Sequence, residues 1–239
     1  MTDQTTLAQL DNAVFFADMT DAIVRGTGEA LMADPDALVV RQESGTHMIW
    51  AADAGAARRI LDRLGPKPTG THVVSHDEHT RQLIEERWGF DGCTTCFSVA
   101  YPATTMAPDT RVDFRVEPLG EEWLDTLAEH YHLDGPGYIM NRLKAGVMLG
   151  AFRDDTLLGF IGQHMEGAMG LLEVLPEHRR LGVGQYLLTH LTRQLLAEGR
   201  LPYDHIIVGN APSEALHRKL GFDISTRHLH WQFRRGWDL

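Results

Sequence analysis

The chain has 239 residues, room for one large or two small domains with a genuine core. Its 43% hydrophobic and 23% charged residues are the composition of an ordinary soluble globular protein. Lys+Arg number 22 and Asp+Glu 33, a formal net charge of −11 that argues against both a nucleic-acid binder and a polybasic membrane-surface protein. No apolar run approaches the roughly 18 residues of a membrane span, and Met1-Thr2-Asp3-Gln4 lacks a signal peptide's charged start and apolar core. Two cysteines cannot make a disulfide framework, so a reducing, cytoplasmic setting is expected. The acidity is uneven. Residues 1–110 carry 8 basic and 16 acidic side chains, residues 111–239 carry 14 and 17, and the second half is the less hostile place for an anionic ligand.

Leu7, Leu10, Val14, Phe15, Met19, Ile23 and Leu31 recur near a 3.6-residue period and predict a helix over 5–33. Strands follow at 37–40 and 47–51, then a helix at 54–64 that Gly65 and Pro66 close. A short strand at 72–75, a helix at 77–88 and a strand at 97–101 come next. Pro102 to Asp109, with two prolines and no apolar period, reads as a linker. Beyond it the pattern predicts a strand at 113–119, helices at 121–132 and about 138–145, and a hairpin pair at 147–153 and 157–165. A strand at 171–175, a helix at 182–198, a strand at 204–208, a helix at 212–220 and a strand near 228–233 complete the chain.

His72-Val73-Val74…Gly89-Phe90-Asp91 resembles His205-Ile206-Ile207…Gly221-Phe222-Asp223, with one residue of length difference. Each copy reads strand, helix, Gly-Phe-Asp, strand, and each follows a helix. Such a repeat points to two related half-domains, drawn here as 1–105 and 106–239.

The informative segment is Leu171-Leu172-Glu173-Val174-Leu175-Pro176-Glu177-His178-Arg179-Arg180-Leu181-Gly182-Val183-Gly184. An apolar strand ends at a proline, turns through a basic loop and enters a helix with two glycines at its start. Unpaired N–H groups and the positive end of the dipole make a helix start an anion site. Glycine allows close backbone approach, and Arg179 and Arg180 add charge. The expected ligand is a phosphate or pyrophosphate. A dinucleotide fingerprint would need a third glycine where Leu187 stands, and no Gly-Lys-Ser/Thr of a P-loop occurs.

What remains, Arg179-x-x-Gly182-x-Gly184 after a Val-x-Pro strand end, resembles the coenzyme A pyrophosphate loop of the GNAT N-acetyltransferases. Asn210-Ala211-Pro212-Ser213-Glu214-Ala215-Leu216-His217-Arg218-Lys219-Leu220-Gly221-Phe222 is similar to the fifth strand and fourth helix of that superfamily. The resemblance covers about residues 112–236, and the tandem arrangement is similar to the glycine N-acyltransferase-like branch. It implies an α/β fold: a mixed, mostly antiparallel sheet flanked by helices, with a smaller N-terminal half-domain of related topology. It also implies transfer of an acetyl or short acyl group from acetyl-CoA to the amine of a small molecule or amino acid by direct attack, without a metal. Coenzyme A would lie on Val174, Leu175, Arg179, Arg180, Leu181, Gly182, Val183 and Gly184, with Asn210 and Ser213 as further contacts. The first copy lacks Arg-x-x-Gly-x-Gly and is expected to be structural. A non-catalytic coenzyme A-binding module and a protein or peptide acetyltransferase are the alternative readings. The motifs leave the acceptor, the acyl length and the oligomeric state open.

An ammonium cannot attack a thioester, so such an enzyme needs a base. Alternation puts Glu173 on one face with Leu171 and Leu175, where a carboxylate is costly without a partner or a task. The resembled family commonly draws its base from this strand; a salt-bridged or solvent-facing Glu is the alternative. Glu166, at the turn into the strand, is the second candidate, as base or as clamp on the amine. His217 stands where many members carry the Tyr thought to protonate the departing thiolate, and its imidazole suits proton transfer near neutrality. Packing would equally explain it. Ser213 and Asn210 have simpler alternatives in helix-start and turn hydrogen bonding. Cys93-Thr94-Thr95-Cys96 places its thiols on opposite faces of a strand, and His72, His76 and His79 with Asp77 read as surface residues rather than a metal site.

Overall fold

The computed structural model describes residues 14–66, 72–110 and 114–234, and the chain divides into two units. The first takes in the residues up to Ala100 together with His205–Ala211 and the segment after Asp223; the second holds Tyr101–Asp204 and Pro212–Phe222. Within the described residues the chain therefore crosses between them four times, whereas the repeat suggested one cut near residue 105.

In the first unit, helix α1 spans Ala17–Arg25 and stops at Gly26, whose φ of 72° lets its N–H reach back to the last carbonyls. The single helix expected over 5–33 is corrected here, and its first nine residues lie outside those described. Residues Gly28–Asp34 form strand β1, paired antiparallel with β2 (Ala37–Gln42) across the two-residue turn Pro35-Asp36. Gly26, Thr27 and Gly28 break the helical run, and Gly28 is needed because a Cβ there would fall 2.8 Å from the Ala22 methyl. Strand β3 (His47–Ala51) pairs antiparallel with β2 and parallel with β4 (His72–Ser75), which requires the crossover helix α2 (Ala54–Leu64). Asp53 caps α2 by accepting from the Ala56 N–H at 2.8 Å, and Asp77 caps α3 (Glu78–Trp88) through Thr80 N–H at 2.7 Å.

Strand β5 covers Gly92–Ala100 and begins earlier than expected, because Cys93–Cys96 pair with the last strand, β11 (Asp223–Phe233). Strand β11 lies between β4 and β5, antiparallel to both. Gly92 sits opposite Phe233, where a Cβ would come within 2.2 Å of the ring. The order in this unit is β1-β2-β3-β4-β11-β5, followed by His205–Ile207 of β10 (Tyr203–Ile207). One core gathers Val39, Ile49, Ile60, Ile84 and Trp88; the other gathers Phe15, Met19, Leu38, Val74 and Leu229. The two thiols do part across β5, Cys93 exposed and Cys96 buried. His76 is no surface residue: its Nε2 lies 3.0 Å from Oδ1 of Asp18, and both side chains are buried.

The second unit opens with β6 (Arg115–Pro118); the strand expected from 113 has its first residue outside those described. A 3-10 turn at Glu121–Trp123 leads into α4 (Leu124–His130), and α5 follows at Pro136–Lys144 with Pro at its first position. Strands β7 (Leu149–Arg153), β8 (Thr156–Gln163) and β9 (Met169–Val174) continue the antiparallel order β6-β7-β8-β9. Helix α6 (Val183–Ala197) buries Leu187, Leu188, Leu191 and Leu195, and α7 covers Ala211–Lys219. Leu127, Ile139, Met148, Phe160, Leu171 and Leu175 form the core. The fold class is as expected: mixed α/β, mostly antiparallel strands flanked by helices. Among the described residues no helix is long and apolar enough to cross a membrane.

Candidate active site

Strand β9 organises the site, and its two ends carry different chemistry. At its C-terminal end Pro176 stops the strand and starts a 3-10 turn, Pro176–His178. Arg180 then takes φ 63° and Gly182 φ 90°, two left-handed residues that swing the chain into α6. A non-glycine residue in that region costs about 1 kcal/mol, which the loop sustains only because the surrounding turns fix it. The first helical bond is Tyr186 N–H to Gly182 C=O at 2.9 Å, so Val183, Gly184 and Gln185 direct their N–H groups out of the helix start. Gly184 packs closely here: a Cβ would lie 3.3 Å from Val174 Cγ2 and 3.7 Å from Leu216 Cδ2.

A cavity of about 480 Å³ opens over this helix start, lined by Arg179–Gln185 with Val174, Leu216, Lys219 and Asp109. Arg179 is anchored to the strand, its Nη2 3.0 Å from Glu173 Oε1 and its Nε donating to Val174 C=O at 3.1 Å. Arg180 and Lys219 are exposed cations at the same wall. Asp109 is the opposing charge, and it accepts from Gln185 Nε2 at 2.9 Å. Backbone N–H groups, a helix dipole and cationic side chains around a bare glycine fit a phosphate-bearing ligand.

Within β9 the regular alternation fails. Leu171 has φ 49°, and the register against β8 slips between the Phe160–Glu173 and Gly162–Gly170 pairs, a bulge that inserts one residue. Leu171 stays buried while Glu173, 26% exposed, turns to Arg179. The ladder between β9 and β10 is the single parallel pair Met169–Asp204.

At the N-terminal end of β9 the turn 164–168 is held from several sides. The His164 N–H bonds Ala168 C=O at 2.8 Å, and the Gly167 N–H bonds His164 C=O at 3.0 Å, with Gly167 at φ 99°. Tyr203 Oη donates to the Glu166 carbonyl and Arg200 Nη2 to the Gly167 carbonyl, both at 2.9 Å. Tyr138 Oη lies 2.8 Å from His164 Nδ1 and accepts from the Met165 N–H at 3.3 Å. Burial pushes the Tyr131 and Tyr138 hydroxyls above their ordinary pKa; Asp134 and Asp204 add to this at Tyr131, and Glu166 at Tyr138.

His217 is 1% exposed. Its Nδ1 lies 2.9 Å from Ser213 C=O and its Nε2 lies 3.2 Å from Asp204 Oδ2. Burial alone would lower the imidazole's pKa, but the Asp204 carboxylate and the Ser213 carbonyl outweigh it and raise it.

Of the residues singled out in sequence, Val174, Arg179, Arg180, Leu181, Gly182, Val183 and Gly184 meet around the cavity, with Glu173 reaching it through Arg179. Leu175 is instead a core residue, bonded through its N–H to Leu158 C=O at 3.0 Å. Ser213 and His217 face each other on α7, while Asn210 follows β10 in the first unit with its N–H on Ile207 C=O. Glu166 stands at the far end of β9, roughly 16 Å of strand from Val174 at ~3.3 Å per residue. Tyr138, His164, Arg200, Tyr203 and Asp204 join the site although no motif of the sequence marks them. His164-Met165-Glu166 at a hairpin turn was the signal for one of them; the rest are distant in the chain. Among the described residues no group of three His, Cys, Asp or Glu could hold a metal ion.

Residues 148–231 match the model of the FR47-like protein family. No curated protein sequence matches the chain. Among solved structures, it is similar to a Drosophila protein with a TM-score of 0.64 and 19% identity, covering 82% of this chain and 74% of that one. It is also similar to a GCN5-related N-acetyltransferase-like protein from Streptococcus suis, with a TM-score of 0.52, 14% identity and coverage of 96% and 100%. An acetyltransferase of the GNAT family from Colwellia psychrerythraea gives a TM-score of 0.52 at 12% identity, covering 98% of each chain. Identities this low speak for the fold, which is of the GNAT type.

Proposed function

We propose that the protein transfers an acetyl or short acyl group from acetyl-CoA to the amine of a small molecule or amino acid. The observation that carries this reading is the cavity over the start of α6, with outward N–H groups at Val183–Gln185 and cations at Arg179, Arg180 and Lys219. These groups suit the pyrophosphate of coenzyme A, which enters as a substrate rather than as a resident cofactor. The thioester arm would run along β9 from Val174 toward the bulge at Leu171, which puts the acceptor at the Glu166 end.

In this reading the carboxylates have separate tasks. Glu173 orients Arg179 on the phosphate side, and Glu166, on a turn braced by Tyr203 and Arg200, clamps the acceptor's ammonium. His217, buried against Asp204, ties α7 to β10 and keeps that carboxylate paired. The test is calorimetric binding of coenzyme A together with free-thiol release from acetyl-CoA across amino acids, small amines and peptides. Binding with thiol release on small amines or amino acids is expected. Absence of binding overturns the reading; binding without release identifies a non-catalytic module, and release with peptides alone a peptide acetyltransferase.

A further inference from the structure

We propose that His164 is the base that takes the acceptor's proton, held in its reactive tautomer by Tyr138; this rests on the acyl-transfer reading above. The imidazole lies directly on bare main chain. A Cβ built on Gly170 would be 2.3 Å from His164 Nε2, so the ring occupies the space a side chain would fill, one residue before the bulge at Leu171. That bulge is where β9 departs from its ladder with β8, and the thioester arm would end beside it.

Which nitrogen is available turns on the contact with Tyr138. Its Oη already accepts from the Met165 N–H at 3.3 Å and sits 2.8 Å from His164 Nδ1, with the two rings 5.8 Å apart and tilted by 33°. In the proposed tautomer Nδ1–H donates to Oη and Nε2 keeps its lone pair over Gly170; Oη donating to Nδ1 would instead place the proton on Nε2. The charged and titratable groups facing the pair are Glu166 from the turn, which acts on the Tyr138 hydroxyl together with Asp134, and Arg142, whose guanidinium is 5.8 Å from the Tyr138 ring centre.

The step balances. His164 Nε2 takes one proton from the acceptor ammonium and becomes imidazolium. The freed nitrogen pair forms the C–N bond at the thioester carbonyl carbon while the C=O pair moves onto oxygen. Its return expels the thiolate with the C–S pair; the surplus proton on nitrogen goes to sulfur, and imidazolium releases its proton to solvent. Ammonium and thioester thus give amide, thiol and one proton.

The test uses the full chain. In the wild type, 15N NMR of His164, assigned by comparison with His164→Gln, should report the Nδ1–H tautomer, and Tyr138→Phe should lose that preference. The pH profile of kcat/KM for thiol release with the best amine should rise with unit slope to a bend at the imidazole pKa found by NMR. His164→Gln should abolish the bend and lower kcat by roughly 10²–10⁴-fold, with the coenzyme A Kd within about twofold of wild type. An Nε2–H tautomer in the wild type, or a bend that survives in His164→Gln, overturns the assignment and leaves acyl transfer standing. A wild type that binds coenzyme A but releases thiol with no amine overturns both. Should His164→Gln fail to fold, Tyr138→Phe supplies the assignment and the wild-type tautomer decides.

Discussion

Gly184 shows how much one hydrogen can decide. A Cβ at this position would come within 3.3 Å of Val174 Cγ2, and its N–H is among those that point from the helix start into the cavity. Gly184→Asp would set a carboxylate where phosphate oxygens are expected; calorimetry should show coenzyme A binding lost, and an unchanged affinity would remove the phosphate assignment. His217 makes a different residue-scale prediction. Its folded pKa is raised above the unfolded value near 6.5, so its contribution to stability is fully present below that value and lost as pH rises through the folded pKa. Melting temperatures between pH 6 and pH 9 should fall further for the wild type than for His217→Gln; parallel falls would show that the Asp204 pair carries no such coupling. The residues of the phosphate loop were legible because they are consecutive, Arg179 to Gly184. His164 and Tyr138 were not, since 26 residues separate them and only the packing of α5 beside the β8–β9 turn brings their polar atoms together.

At the scale of elements, β9 is the strand whose irregularity matters. Period-2 reasoning sets Glu173 on the face of Leu171 and Leu175 and offers a salt bridge as the alternative; the salt bridge, to Arg179, is what forms, and an inserted residue at Leu171 breaks the alternation before it. Nothing in Leu171-Leu172-Glu173 announces a left-handed leucine, because that conformation is imposed by the neighbouring strand and not by local preference. Gly159 of β8 holds the other side of this junction: a Cβ there would be 2.6 Å from the Glu173 carbonyl oxygen and 3.2 Å from Val183 Cγ1. Gly159→Val should therefore push β9 and the start of α6 apart, costing about 2–3 kcal/mol and weakening coenzyme A binding together with the melting temperature. Unaltered melting would mean that the junction relaxes freely.

For the whole molecule, the chain order and the spatial order differ in a way with a direct consequence. Strand β11 belongs to the second repeat in sequence but pairs with residues 72–75 and 92–100 of the first. Residues 106–239 expressed alone would leave Leu229 and the edges of an eleven-residue strand without those partners, so aggregation is expected. A monodisperse, cooperatively melting fragment would contradict this. The sequence by itself determined the elements with strong local signals: α2 closed by Gly65 and Pro66, the Gly-flanked α6, the strand repeat and the basic Gly-rich loop, each written in adjacent residues through periodicity, prolines and glycines. The fold class was legible through the resemblance that Arg179-x-x-Gly182-x-Gly184 and residues 210–222 carry. Only the tertiary structure decided that β11 inserts between β4 and β5, that β1 is a strand and not the end of a helix, that Leu171 bulges, and that His164 meets Tyr138. Those outcomes depend on hydrogen-bond partners and close contacts between residues far apart in the chain, and no local preference encodes them.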